Sequence, residues 1–260
     1  SLSTTYQKLV EDLTRIDRLS SVFGLLGWDE QVNLPPDSAA RRAEEMAVLS
    51  KIIHREATAG TIGDGLDTLE GRIDQLNPSE RSVVTEARRQ YDRATKIPAD
   101  FVERKTKLAS QSFHAWVAAR EESDFSLFQD HLQTQLDLAR EEAGFLGFSI
   151  AGAYDYHIDQ HDPGLTAAVI DPLFAELKAA TLNLLGEILE SPVKPETGIF
   201  KGFLEVTQEK FLREVTSALG FDYSRGRIDR AVHPFCSGNG ADTRMTTRFD
   251  VDNPLDSLFS

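Results

Sequence analysis

The sequence predicts a mainly α-helical protein, an array of many helices with a small antiparallel β-hairpin near the C-terminus. Apolar residues recur at three- and four-residue spacing through most of the chain before residue 221, as on the buried faces of helices. Residues 231–250 differ, because β-branched and aromatic residues alternate there with polar ones around the turn Ser237–Gly240. Alternation split by a glycine-rich turn is typical of two short strands.

Composition narrows the classes of function. The 260 residues carry 28 Lys and Arg against 42 Asp and Glu, a formal net charge of −14. That charge argues against non-specific nucleic-acid binding and against an anionic membrane surface. No apolar run approaches the ~20 residues that span a bilayer, and the first residues lack the pattern of a signal peptide. With Cys236 as the single cysteine, we expect a cytoplasmic protein without internal disulfides.

Caps and helix breakers predict the elements of the first half. Ser3 caps a helix that should end near Gly24 to Gly27, before a loop that continues to the proline pair Pro35-Pro36. Trp28, beside two acids in that loop, is either a recognition element or, as we favour, an anchor of the loop on the core. Further helices are predicted over 38–57, 67–76, 78–96, 99–122 and 124–145.

Residues 149–164 read as an irregular connector. It contains His157 and His161, a spacing that on a helix could bind a metal. The residue after His157 is isoleucine, so the glutamate base of a zincin is missing. The favoured interpretation is a loop packed by Tyr154 and Tyr156.

Two more helices are predicted, over 166–190 and 199–219, each with one buried apolar face. No linker rich in Pro, Gly or Ser divides the chain, so 1–260 should form a single helical unit. Within it we expect an N-terminal helical part (1–147), a connector with long helices (148–220) and the hairpin with the start of another helix (221–260). The residues predicted to be buried include Val169, Leu173, Leu177, Leu184, Leu185, Ile188, Phe203, Val206 and Phe211.

The hairpin holds the candidate site residues. Its first predicted strand carries His233-Pro234-Phe235, and its second places Asp242, Arg244 and Thr246 on one face because strand side chains repeat every two residues. Charged groups are costly to bury unless they pair or meet a ligand. The guanidinium group of Arg244 matches a substrate carboxylate. Alternatively, Asp242 and Arg244 only pair to hold the hairpin in register.

These motifs resemble the Taq-type (thermostable) zinc metallocarboxypeptidases. His-Pro-Phe at 233–235 followed by Asp-x-Arg-x-Thr at 242–246 carries the resemblance, and Leu-Gly-Trp-Asp at 26–29 and Tyr-Asp at 154–155 extend it over nearly the whole chain. The resemblance implies a zincin-like fold, removal of C-terminal residues from peptides, zinc or cobalt as cofactor, and a homodimer. It also implies that His233 and Phe235 line the substrate site, which Asp242, Arg244 and Thr246 shape.

One departure from the family qualifies these expectations. The family's H-E-x-x-H helix, which supplies two zinc ligands and the general base, follows the hairpin, but the motif occurs nowhere in this sequence. The cap and proline at Asn253-Pro254 resemble the start of that helix. The chain thus resembles the front half of such an enzyme, incomplete in its fold, forming a wall of the substrate groove.

We therefore expect no catalytic residue, no metal ligand and no bound zinc within the 260 residues. An alternative is a catalytically inactive relative that binds peptides or forms dimers, and a third is a plain acidic helical module. Near its C-terminal end the chain should expose apolar surface. The residues expected there are Phe249, Leu255, Leu258 and Phe259.

Overall fold

The computed structural model describes residues 1–196, 198–255 and 257, and at Ile199 the backbone alone. Within this part of the chain, no helix combines the length and apolar character needed to cross a lipid bilayer. The elements are α1 (Leu2–Val32), α2 (Ala39–Ala57), α3 (Gly60–Glu70), α4 (Pro78–Lys96), α5 (Ala99–Glu122), α6 (Ser126–Phe145), α7 (Ala153–His161), α8 (Ala167–Glu190), α9 (Glu205–Ala218), β1 (Gly226–Arg230), β2 (Cys236–Asn239) and β3 (Asp242–Thr247).

The N-terminal helices enclose the largest apolar core of the described residues. α1, α3 and α4 meet in it, and α2 lies along α5 on the other side of α1. The apolar stripe of α1 faces this core, since Leu9 is buried and Tyr6, Leu13 and Ile16 pack beside it. Apolar spacing therefore identified the contribution of α1 to the core. Its buried members are Leu9, Ile62, Leu66, Leu69, Leu76, Val84 and Ala87.

The predicted end of α1 was wrong. The helix does not stop at the glycines but continues through Trp28 and Glu30, both of which are buried. Arg42 of α2 fastens this last part, donating from NH1 to the Leu26 carbonyl (2.9 Å) and from NH2 to Asp29 (2.7 Å). These tertiary contacts outweigh the modest cost of glycine within a helix.

The prediction for α3 was also displaced. It spans Gly60–Glu70 rather than 67–76, because its apolar residues form a buried stripe against α1 and α4. A Cβ at Gly63 would lie 2.6 Å from the Tyr91 hydroxyl oxygen. Glycine here therefore permits close packing of α3 on α4 instead of breaking the helix.

Helices α4, α5 and α6 follow their predicted bounds closely. At the start of α4, the Asn77 side chain accepts a hydrogen bond from the Glu80 N–H (3.0 Å), and the Glu80 carboxylate accepts one from the Asn77 N–H (2.9 Å). This reciprocal capping box confirms the helix start predicted from the sequence. The Asp124 carboxylate likewise accepts from the Ser126 N–H (2.9 Å) at the start of α6.

The connector forms a helix, α7, where the sequence suggested a loop. Tyr156 is fully buried as expected, but Tyr154 is 70% exposed. Asp159 joins α7 to its surroundings, because its Oδ1 accepts from the Gly164 N–H (2.7 Å) and its Oδ2 contacts Arg93 of α4. The Arg93 contact ties α7 to α4, and the Gly164 contact closes the turn that follows α7.

The predicted burial of α8 was wrong, although its bounds were right. Its apolar residues are exposed on all sides, Leu173 and Leu177 at 61% and 57%. The second predicted helix is shorter, α9, and Phe203, Val206 and Phe211 around it are also exposed. Apolar residues along a helix predict burial only when another element covers them. The residues of α8 concerned are Val169, Leu173, Phe174, Leu177, Leu182, Leu184, Leu185, Ile188 and Leu189.

The predicted exposure of apolar residues at the C-terminal end was not found in the two residues that the structure describes there. Phe249 and Leu255 are half-buried, whereas Leu258 and Phe259 lie outside the described residues. The guanidinium of Arg230 lies 4.9 Å from the centre of the Phe249 ring and covers it. Among the described residues, exposed apolar side chains are instead concentrated on α8.

The hairpin is present, and the structure adds a third strand to it. β3 is central, with β2 antiparallel on one side and β1 parallel on the other. Most of the predicted turn Ser237–Gly240 lies within β2, where Gly238 has φ +96° and a Cβ would lie 1.9 Å from the Asp242 carbonyl oxygen. Glycine is therefore required at this position.

The contacts of Asp159 predict a pH dependence. The Gly164 N–H, together with Arg89 and Arg93, lowers the pKa of Asp159 below its ordinary value. A lowered folded-state pKa stabilises the fold above about pH 4, and that stabilisation disappears as the pH falls through the folded-state value. Asp159→Asn should lower Tm at pH 7, and the difference in Tm from the unmodified chain should disappear in acid. Asp162→Asn, at an exposed position, is the control. A Tm difference that does not change with pH would contradict this prediction.

The exposed face of α8 predicts self-association. Sedimentation velocity should show oligomers, and a hydrophobic dye should bind, because these side chains leave a large apolar area in water. The double variant Leu177→Ser, Leu184→Ser should reduce both signals, whereas Lys178→Ser, on the same exposed helix, should not. A strictly monomeric, dye-negative chain would contradict this expectation.

Candidate functional site

Thr246 holds the His-Pro-Phe segment in place. The segment precedes β2 and does not lie in a strand, which corrects the sequence prediction. Phe235 donates from its N–H to the Thr246 hydroxyl oxygen (2.8 Å), and the Thr246 N–H donates to the Phe235 carbonyl (2.8 Å). Thr246 is 4% exposed. Its buried hydroxyl therefore fixes the backbone that carries His233.

His233 projects from this segment over a groove. Its ring meets Trp116 of α5 edge to face, with centroids 6.1 Å apart. The two side chains line a cavity of about 460 Å³ together with Gln31 and Phe113. Trp116 forms part of the cavity wall. An exposed imidazole beside an aromatic wall can offer a ligand both a hydrogen bond and a stacking surface.

Asp242 and Arg244 form a two-bond ion pair along one face of β3. Arg244 donates from Nε to Asp242 Oδ1 (2.5 Å) and from NH2 to Oδ2 (2.9 Å). These hydrogen bonds lower the pKa of Asp242 and raise that of Arg244. Within the described part of the chain, no hydrogen bond to NH1 is found. The two residues do pair, but both belong to β3, so this ion pair does not itself link the two strands of the hairpin.

Trp28 joins this ion pair to the helical bundle. The guanidinium carbon of Arg244 lies 4.4 Å from the centre of the Trp28 ring, and that of Arg227 on β1 lies 5.1 Å from it. Arg227 is itself paired with Asp229 through bonds of 2.7 and 2.6 Å. Trp28 is 5% exposed. It anchors the core, as the favoured interpretation held, but from within α1 rather than from a loop.

A second cavity, of about 470 Å³, shares Gln31, Ala109 and Phe113 with the first and continues into the bundle. Two buried carboxylates, Glu30 of α1 and Glu142 of α6, line it. Sequence reasoning missed both. The only sequence signal was the acid pair next to Trp28, which includes Glu30. That Glu30 lies on a cavity wall depends on helix packing that no local pattern shows.

The side chains that the structure describes do not form a zinc site. His157 Nε2 lies 3.0 Å from the Ala139 carbonyl oxygen, and Asp159 is engaged by arginines. Across 1–196, 198–255 and 257, no three His, Cys, Asp or Glu side chains cluster as metal ligands would. His157 and His161 therefore gain no third ligand.

The predicted site residues occupy two neighbouring places. His233 lines the groove, and Phe235 and the buried Thr246 are hydrogen-bonded in the backbone that supports it. Asp242 and Arg244 instead line a smaller cleft of about 170 Å³ between the hairpin and α1. Both places abut α1, which connects them.

The family model and the curated relatives that this chain matches agree with one another. The family model of the carboxypeptidase Taq (M32) metallopeptidases matches residues 8–260. Carboxypeptidase 1 of Bacillus subtilis is 34% identical, over 98% of this chain and 51% of its own length. Thermostable carboxypeptidase 1 of Thermus thermophilus is 34% identical, over 95% of this chain and 51% of its own.

The fold agrees with a solved structure of similar sequence. The crystal structure of BsuCP superposes with a TM-score of 0.93 at 32% identity, covering 98% of this chain and 52% of that chain. The chain thus spans about half the length of the curated relatives it matches.

The Thr246 contacts predict a local loss of stability on mutation. Thr246→Val leaves the Phe235 N–H without its acceptor and should cost about 1–3 kcal/mol of unfolding free energy. Amide exchange at Phe235 should accelerate, and Thr246→Ser should restore both values. Thr243→Val removes only the exposed bond from the Thr243 hydroxyl to the Asn239 carbonyl. It should change stability by less than about 0.5 kcal/mol, and equal losses in both valine variants would contradict the special role of Thr246.

Proposed function

The chain belongs to the carboxypeptidase Taq (M32) metallopeptidase family, and from that premise we propose that it forms the N-terminal part of a metallocarboxypeptidase. The proposed enzyme removes C-terminal residues from peptides, and this chain supplies a wall of its substrate groove. Relatives that cover nearly all of this chain are carboxypeptidases, which supports the assignment.

One observation carries the proposal. His233 stands exposed at the edge of a 460 Å³ cavity with Trp116 beside it, and its backbone is fixed by the buried Thr246 hydroxyl. A rigid polar group on the wall of a partly aromatic groove is suited to orienting a peptide.

The proposed roles of the site residues differ. His233 and Phe235 line the substrate site, with His233 exposed to a bound peptide. Thr246 shapes the site by holding their backbone. Asp242 and Arg244 shape it from β3, and their ion pair leaves the NH1 nitrogen of Arg244 as the donor that a carboxylate could reach.

A bound zinc or cobalt ion would supply Lewis-acid activation of water for peptide hydrolysis. Because the described side chains do not fit such an ion, we propose that its ligands belong to a polypeptide equivalent to the other half of the relatives. We further propose a cytoplasmic homodimer, which the single cysteine and the exposed α8 support.

A second candidate is a peptide-binding or dimerisation module without catalysis. The cavities favour it together with the lack of a metal-ligand cluster among the described residues. The two candidates differ in the coding sequence that follows the codon for Ser260. An in-frame H-E-x-x-H within about a dozen codons supports the enzyme, and a stop codon supports the module.

Complementation tests the proposed enzyme. The chain alone, supplied with zinc or cobalt, should release no amino acid from a blocked dipeptide such as benzyloxycarbonyl-Ala-Arg. When it is co-expressed with the C-terminal half of the Bacillus subtilis carboxypeptidase 1, the two polypeptides should co-purify and turnover should appear. His233→Ala should lower kcat/KM at least about tenfold, while exposed His161→Ala should not.

The outcomes separate the parts of this proposal. Turnover by the rigorously purified chain alone would contradict the assignment of the metal ligands elsewhere. A stable complex without turnover would contradict the enzymatic function and favour the second candidate.

A further inference from the structure

The deeper cavity combines apolar walls with charged groups. Its 470 Å³ lies within the usual size range of ligand pockets, about 300–1,000 Å³. Aromatic and thioether side chains form much of its wall, and it shares Gln31, Ala109 and Phe113 with the cavity that His233 lines. The apolar lining residues include Phe23, Met46, Phe101 and Phe113.

The charge of Glu142 is already balanced. Its Oε2 is paired with Lys105, and its Oε1 accepts from the Tyr156 hydroxyl (3.1 Å) and from the Gln160 amide (3.4 Å). Burial and the neighbouring Glu142 carboxylate raise the pKa of Tyr156 to about 12, so its hydroxyl keeps the proton that it donates. Glu142 therefore has its partners within the protein.

The charge of Glu30 is not balanced in this way. Its Oε1 lies within hydrogen-bond distance of the Ser110 hydroxyl and of His114 Nε2 (3.1 Å). Throughout the described ranges no donor to Oε2 is found, and no lysine or arginine pairs with Glu30. The side chain is only 7% exposed. Oε2 is not enclosed by protein atoms, so on the cavity wall it is an open acceptor that a cationic ligand could reach.

We propose that this cavity is a side-chain pocket for an arginine or lysine of the bound peptide, with Glu30 Oε2 as the acceptor of its cationic group. The inference rests on the proposed peptide-binding function and adds the substrate class. The aliphatic stem of such a side chain lies against Phe23, Phe101 and Phe113. Its charged end meets Glu30 at the wall of the cavity, where a charge-assisted hydrogen bond is strong.

Matched peptides test the charge preference directly. Fluorescein-labelled hexapeptides carry arginine, citrulline or norleucine at one of the last three positions, and fluorescence anisotropy measures their Kd for the 260-residue chain. Citrulline has nearly the shape of arginine but no charge. At one of the three positions, arginine should bind at least about tenfold more tightly than citrulline.

A charge-matched pair of variants tests the role of Glu30. Glu30→Gln retains an oxygen for the Ser110 and His114 bonds but removes the charge, so the preference for arginine should disappear. Glu141→Gln removes the same charge at a residue outside the cavity, where Glu141 pairs with Arg104. This control should keep the preference. Far-UV circular dichroism checks that both variants fold.

Each outcome has a distinct meaning. If the arginine and citrulline peptides bind equally well, the inference is overturned while the proposed peptide-binding function stands. This comparison needs no protein variant. A preference that survives in Glu30→Gln would overturn the role of Glu30. Failure of all the peptides to bind would overturn the inference and remove the peptide site proposed for this chain.

Discussion

The packing of two arginines from the sheet on the Trp28 ring of α1 positions the whole site. Each arginine is already paired with an aspartate, so two guanidinium groups lie over one ring with their charge partly balanced. Contacts of this kind contribute about 0.5–2 kcal/mol each. Thr246 follows Arg244 by two residues on β3. The position of that strand against α1 therefore determines where Thr246 holds the backbone before β2 and where His233 reaches the groove.

Local patterns in the sequence predicted most of the helices, and tertiary contacts account for the errors. The capping box at Asn77 is a short-range signal and was read correctly. The extension of α1 through Trp28 depends on Arg42 from another helix. β1 could not be predicted because its five residues are mostly polar and pair in parallel with β3, the second strand of the hairpin, rather than with a neighbour in sequence. The apolar period of α8 indicated a helix but not what would cover it.

For the site, the sequence identified residues better than roles. The motifs at 233–235 and 242–246 did mark the segments that line cavities, and the pairing of Asp242 with Arg244 was one of two alternatives considered. The deeper cavity could not be inferred, because Glu30, Lys105 and Glu142 come from three helices. A protein of net charge −14 has most of its carboxylates in water. The few buried ones are therefore the informative positions.

Gly238 in β2 and Gly240 in the following turn differ in the space that surrounds them. Any side chain at Gly238 would collide with the Asp242 carbonyl, whereas a Cβ at Gly240 would meet no atom within 4 Å. A label can therefore be attached at Gly240, at the tip of the hairpin, although Gly238 only two residues away accepts no side chain. A spectroscopic probe attached at residue 240, with the exposed Cys236 replaced by serine, would report on this edge of the sheet without disturbing its strand register.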